Sequence, residues 1–395
     1  MDSRLKSQTF DLLIVGAGIY GATLAWTAAR AGFSVALIDK GEYGEGASAN
    51  SLKILHGGLR YLQQMNIPRM RESIWARRDG LRHLPHLVKP VPFLSPVGDK
   101  VTRSRLAYSV AGWMNDVISF DRNAGVPATH HIPRTRTISG DELKARVPAL
   151  AAYRKGALLW HDGLIDDTEQ YTLSYVFGAR DAGACISNFI KAEGLMMKDK
   201  HVTGVKARDL KSGDVFNIEA KITVNTTSAW RHDWTGLPAS AQQKQNWVRA
   251  INVVTKRNWF GEYGVGLDNG TRNLFFAPWR GGTMIGTMYD PFESPADNCR
   301  YTPDDLARFA DEINDVYPEA NFKVADISQV HVGILPAKPS RSGAPSTECE
   351  DRTFIWPRGE KGNLPGYVVV QGVKYTTAAY WSKFLLARLK SELKQ

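Results

Sequence analysis

Residues 50–64, NSLKILHGGLRYLQQ, gather Lys53, His56, Arg60 and Tyr61 around the glycine pair Gly57 and Gly58. Cations and an aromatic ring beside bare backbone suit a flat, electron-rich or anionic ligand, and a solvated loop is the alternative reading. Upstream, FDLLIV (10–15) reads as a buried strand, GAGIYG (16–21) as a glycine turn, and the alanine-rich run 22–31 as a helix closed by Gly32. SVALI (34–38) is the next strand and runs into Asp39, 23 residues after Gly16. Strand, GxGxxG, helix, strand and terminal acid make a dinucleotide-binding unit in its required context. Gly16 permits the tight turn, Gly18 lets backbone approach a pyrophosphate, and Gly21 brings helix against strand. The helix N-terminus offers its N–H groups to phosphate. Asp39 is set to accept from a ribose hydroxyl, and an acid there disfavours a 2′-phosphate.

The elements that carry these residues belong to a globular chain. With 395 residues, 43% hydrophobic and 23% charged, it can build one large core or two domains. Three cysteines, Cys185, Cys299 and Cys349, lie far apart with no CxxC pair. That excludes a zinc ribbon or dithiol centre and fits a reducing, cytoplasmic compartment; no metal site is expected. A net charge of +10 is modest over this length, and no nucleic-acid partner is expected. The uncharged run Leu12 to Ala29 approaches the length of a membrane span, yet its glycines divide it into strand and helix. Neither a transmembrane segment nor a signal peptide is expected.

After Asp39 comes KGEYGEGASANS (40–51), a Gly/Ser-rich loop, and then the stretch 50–64. Such a loop suits a cofactor that continues past its pyrophosphate, as FAD does, better than it suits NAD. Residues 10–64 closely resemble FAD-dependent glycerol-3-phosphate dehydrogenases, within the wider D-amino-acid-oxidase-like flavoprotein group. Where that family reads SKLIHGGLRYLE, this chain reads SLKILHGGLRYLQ. The likeness continues in DGLIDDTE (162–169), VNTTSAW (224–230), NLFFAPWRGGTMIGTMYD (273–290) and GVKYTT (372–377).

The resemblance implies an α/β (α+β) fold, a Rossmann-like FAD-binding domain interleaved with a sheet-based substrate domain. The expected segments are 1–95, 155–235 and 330–395 for the first and 96–154 and 236–329 for the second, with strands at 248–255 and 274–278. It implies FAD contacts from Gly16, Gly18, Ile19, Tyr20, Gly21, Asp39, Lys40, Ser48, Ser51, Lys53, His56, Gly57, Thr226, Gly372, Lys374, Tyr375 and Thr376. Arg60, Tyr61, Asn252, Arg352 and Lys374 are expected to face the substrate, whose leading candidate is glycerol 3-phosphate or a related polyol phosphate. Oxidising an alcohol needs a base and an electron acceptor. His56 and His331 are the candidate bases, while Arg60 and Lys374 would hold an anionic end or a developing alkoxide.

Two positions depart from the family pattern. Leu335 in VGILP stands where the family's SGVRP has arginine, and Asn252 in RAINVV stands where GSHIVV has histidine. Losing one partner of a buried charge pair costs about 2–5 kcal/mol. Lys338 and Arg341, just beyond, are candidates to compensate. The damaged clamp keeps an amino-acid or amine oxidase of the same fold as the alternative. The sequence ends 18 residues after Thr377, before the helical C-terminal domain usual in the family. No second GxGxxG opens a helix, since GVGLDNG (264–270) breaks the spacing, so an organic substrate rather than NAD(P)H is expected to reduce the flavin. The next acceptor is a quinone or oxygen. The basic stretch 68–84 reads as a core helix with a basic edge or as a membrane-surface helix, and 106–114 is a second candidate contact. Either would make the protein peripheral to the inner face of the membrane.

Overall fold

The computed structural model describes residues 2–98, 100–230, 234, 245–339, 346–356 and 364–393. Its strands form two sheets. The first holds β1 (Thr9–Val15), β2 (Val35–Ile38), β7 (Cys185–Ser187), β8 (Ile190–Lys198), β9 (His201–Asp209), β10 (Val215–Asn225), β16 (Phe354–Trp356) and β17 (Tyr367–Gln371). The second holds β3 (Ile54–Leu55), β4 (Val88–Pro96), β5 (Arg136–Ile138), β6 (Ala157–Ile165), β11 (Asn246–Thr255), β12 (Gly264–Asp268), β13 (Asn273–Trp279), β14 (Gly282–Phe292) and β15 (Ile327–Ala337). The α-helices are α1 (Ile19–Arg30), α2 (Ile67–His83), α3 (Arg105–Ile118), α4 (Gly140–Arg146), α5 (Thr168–Asp181), α6 (Pro303–Val316) and α7 (Ala378–Leu393).

In the first sheet β1 runs parallel to β2 and β10, and β10 runs parallel to β17. Leu12 and Ile14 of β1 enter one core with Leu37, Val224, Val368 and Val370, under α1, α5 and α7. Phe10, Leu13 and Val15 enter another with Ile38, Ala220 and Val369. A strand buried on both faces has to be apolar nearly throughout, which is why 10–15 is a run rather than an alternation. At its end Gly16 takes φ +102 and donates its N–H to the Ile38 carbonyl at 2.8 Å. Helix α1 can follow at once because Gly21 has no side chain; a Cβ there would stand 1.9 Å from the Gly16 carbonyl oxygen.

The second sheet is mainly antiparallel, with β14 between β11 and β13, and β15 on the outer side of β11. Its core packs Phe260, Phe276 and Tyr317 with Phe309 and Ile313 of α6, a helix opened by a Thr302–Asp305 capping box. Every strand of the first sheet lies within 1–95, 155–235 or 330–395. β4, β6 and β15 also lie wholly or mostly in those segments, yet they pair into the second sheet. Their place is set by register with distant residues.

Of the two readings of 68–84, helix α2 is the core helix with a basic edge. Met70, Ile74 and Leu81 are buried in the protein, so no apolar face remains for a membrane. Arg71 and Arg78 both hydrogen-bond Asp121, and Arg82 pairs with Asp79. Among the described residues no helix is long and apolar enough to cross a membrane.

The Gly21 contact yields a direct test. Gly21→Ala forces the Gly16 turn to open and should cost about 1–3 kcal/mol of stability, the usual range for overpacking. Thermal unfolding measures it, and a parental midpoint would refute the packing argument.

Candidate active site

The glycine turn and its neighbours build a phosphate cradle. Gly18 is the N-cap of α1 and supplies no side-chain cap, leaving the first turn of N–H groups to other partners. Ser48 Oγ accepts from Ile19 N at 2.9 Å, bringing the loop 40–51 against this end. Thr226, at the end of β10, donates its hydroxyl to the Val15 and Gly16 carbonyls at 2.9 and 2.7 Å and so braces the turn. Asp39 accepts from Ala17 N and Gly41 N, and burial still holds its carboxyl above the usual carboxylate range. Each oxygen keeps a lone pair for a hydroxyl. Ser51 Oγ and Gln371 Oε1 are among the buried polar atoms without a partner among the described residues. A helix N-terminus without a side-chain cap of its own, an acid and orphaned polar atoms fit a dinucleotide with a polyol chain.

The other expected cofactor residues have structural partners already. Lys53, 1% exposed and in the left-handed region at φ +63, gives its ammonium to the Ala49 carbonyl and to Thr168 Oγ1. Burial lowers its pKa. It ties the loop to the start of α5. Lys40 pairs with Asp297 at 3.0 Å. Tyr20 hydrogen-bonds Thr353 Oγ1 and the Lys374 carbonyl, and its ring explains Gly372, where a Cβ would lie 2.3 Å from the ring edge. Tyr375 donates to the Thr168 carbonyl and Thr376 to the Ile54 carbonyl, anchoring the turn that opens α7.

Beside this cradle lies a cationic cleft. Arg69, Glu72, Asp351, Arg352, Thr353, Lys374 and Trp381 help to line it, and it opens to solvent. Tyr61 is its pivot: the Lys374 ammonium contacts its hydroxyl, and Lys374 and Arg69 sit 4.2 and 4.3 Å from its ring centre. His56 meets the same ring edge-on at 5.9 Å. Burial, then Lys374, Arg77 and Arg69, push His56 down to about 3, so it is neutral at physiological pH. Burial and the Arg60 charge pull Lys374 down to about 7. Arg60 itself is exposed, on the single-turn helix after Gly58, which takes φ +77.

Asn252 and His331 form a separate group. They oppose each other across β11 and β15, facing the loop 47–52. Asn252 donates to the Asn50 carbonyl and accepts from Thr287, while His331 packs edge-on against Trp279 with Nε2 unpartnered. Burial, then Lys53, lowers His331 to about 4. Leu335 is on the same face of β15, two residues beyond Gly333. Lys338 is committed to Asp351 and Glu348, and Arg341 lies outside the described residues. Asp166 and Asp167, the paired acids, bind Lys89 and Arg280. Sequence reasoning passed over Arg69, Glu72 and Arg77, whose only signal is their place in the basic stretch, and Asp162, which opens the DGLIDDTE motif.

A lysine with a pKa of about 7 couples anion binding to protonation. Its ammonium is present below that pH and lost above it. Sulfate, whose own charge is constant, should therefore bind about tenfold more weakly per pH unit above 7. Titration calorimetry between pH 7 and 9 measures this; Lys374→Arg should flatten the dependence, and a flat parental profile would overturn it.

Residues 11–384 match the DAO family, FAD dependent oxidoreductase. An alpha-glycerophosphate oxidase of Streptococcus pneumoniae is 29% identical over 84% of this chain and 55% of its own length. A glycerol-3-phosphate dehydrogenase of Mycobacterium leprae is 28% identical over 95% of this chain and 62% of its own. The chain thus spans about 55–62% of these relatives. In fold it resembles the glycerol-3-phosphate dehydrogenase of Bacillus halodurans solved with FAD, at TM-score 0.72, 19% identity, and coverage of 99% of this chain and 66% of that one. It also resembles a glycine oxidase of Bacillus cereus, at TM-score 0.67, 16% identity, and coverage of 98% and 96%. Cradle, cleft and matches together give the assignment: the chain belongs to the DAO family of FAD-dependent oxidoreductases.

Proposed function

We propose that the protein oxidises an alcohol of a small anionic substrate, glycerol 3-phosphate or a related polyol phosphate. The observation that carries this reading is the convergence of Lys374 and Arg69 on Tyr61, with neutral His56 at the same ring, Arg352 lining the cleft beside Lys374, and the Arg60 charge acting on Lys374. Arg60, Lys374 and Arg352 bind the anionic end; the fixed fork of an arginine matches a phosphate. His56, uncharged, accepts the hydroxyl proton at a ring nitrogen. His331 belongs with Lys53 and Trp279 and is left a supporting role. Bound FAD supplies the two-electron oxidation. Likeness to proteins named alpha-glycerophosphate oxidase and glycerol-3-phosphate dehydrogenase supports the substrate class.

Glu72 favours a second reading. Its carboxylate lines the same cleft, raised by burial against the pull of Arg352 and Arg69, and would receive the ammonium of an amino acid or amine. Leu335, in place of an arginine, weakens the phosphate clamp in the same direction.

The next acceptor is a quinone or oxygen, and α3 supports a peripheral membrane contact on the quinone side. Leu106, Val110, Trp113, Val117 and Phe120 fall at helical spacing and are 75, 48, 68, 52 and 79% exposed. Exposed Lys100 and Arg105 flank them, while Asp116 and Asp121 are already paired with Arg122, Arg71 and Arg78. An apolar stripe with a cationic rim and no free acid complements an anionic bilayer surface.

Two experiments separate these readings. Glycerol 3-phosphate added anaerobically should bleach the flavin absorbance, and Arg60→Ala should raise its KM by about tenfold or more at unchanged FAD content. Bleaching by amino acids and not by polyol phosphates would sink the leading reading. In flotation assays the protein should rise with phosphatidylglycerol vesicles but not with phosphatidylcholine vesicles, and Trp113→Ser with Phe120→Ser should abolish this. Equal recovery of the parent and this double variant would remove α3 from the account.

A further inference from the structure

Behind the HGG turn a buried ion pair grips bare backbone. Arg77 of α2 and Asp162 of β6 are 3% and 6% exposed and meet at 2.6 Å. Asp162 Oδ1 also accepts from Gly57 N at 2.6 Å, and its Oδ2 accepts from Trp160 Nε1 at 2.9 Å. Arg77 Nη1 donates in addition to the His161 carbonyl at 2.8 Å. The guanidinium covers Gly57 so closely that a Cβ there would lie 2.3 Å from Nη1 and 2.6 Å from Cζ.

The geometry points to Arg77 and Asp162 as positioning residues that set the angle of His56. The N–H taken by Asp162 belongs to the peptide joining His56 to Gly57, so the carboxylate fixes the plane of that peptide. Arg77, lying over Gly57 and bonded to both Asp162 and the His161 carbonyl, prevents the peptide from rotating. The next residue, Gly58, turns at φ +77 into the helix that carries Arg60 and Tyr61. The fixed peptide thereby orients the proton acceptor, while Arg60 and Tyr61, beyond the Gly58 turn, are held by their own helix. A buried ion pair is often replaceable by neutral groups with little loss of stability, so geometry is the role in which it would be missed.

This inference rests on the reading that His56 serves the oxidation, and the test keeps the two apart. His56→Asn examines that reading alone: parental turnover would remove it, whatever the pair does. For the clamp, Arg77→Met with Asp162→Asn removes both charges and leaves neither unpaired. The expected result is full FAD content, a melting temperature within about 3 °C of the parent, and KM and sulfate affinity within about twofold, with kcat reduced about tenfold to a hundredfold. Parental kcat in a stable, FAD-loaded double variant overturns the proposal. Should the double variant fail to fold, Arg77→Lys decides: it keeps the charge but not the flat face over Gly57. Lower kcat at parental KM then supports the clamp, and parental kcat overturns it.

Discussion

The two sheets are tied across the cleft by hydrogen bonds from residues 48–62. Ser48 reaches the start of α1, Asn50 takes the Asn252 amide of the second sheet, and Lys53 reaches α5. β3 adds itself to β6, Ile54 accepts from Thr376, and Gly57 gives its N–H to Asp162. A segment so used cannot choose its residues for surface solubility or for a regular element. It needs glycines and buried polar tips that reach specific partners in both sheets. The mixture that makes NSLKILHGGLRYLQQ unusual as sequence follows from that constraint.

Electrostatics inside the cleft follow from how few acids it holds. Arg69 is answered by Asp351 and Arg77 by Asp162, which leaves Lys374, Arg60 and Arg352 to act on what enters. Burial among like charges drives His56 and Lys374 toward their neutral forms, and the arrival of an anion raises the basicity of both. The same cations would regain their charge when an anion arrives. The site is therefore prepared for negative charge without bearing the full cost of buried positive charge beforehand.

Much of the nucleotide half was legible because its chemistry is local. Gly16, Gly18, Gly21 and Asp39 occupy fixed offsets along a single strand–turn–helix–strand unit, and each offset has one steric or hydrogen-bonding reason. The cleft was legible only in part. Arg60, Tyr61 and Lys374 stood in readable motifs, but Arg69 and Arg77 looked like surface charge because helical spacing does not reveal that Asp351 and Asp162, distant in sequence, would receive them. For the same reason the pairing of β4, β6 and β15 into the second sheet, with partners distant in sequence, was not legible. Lys53 was assigned to the cofactor from its motif, and its contacts within the chain join a loop to a helix.

Parallel pairing of β10 with β17, Thr223 beside Tyr367 and Asn225 beside Val369, has a consequence for how the protein is made. Strands that start at residues 9 and 367 belong to one sheet, and the lysine of the cleft follows the later of them. Non-local parallel contacts form slowly, after a large loop-closure cost. A nascent chain can assemble the glycine turn early but cannot own a complete pocket until its last strand and α7 have left the ribosome. Flavin capture then waits on a strand about 350 residues after the glycine turn that opens the site.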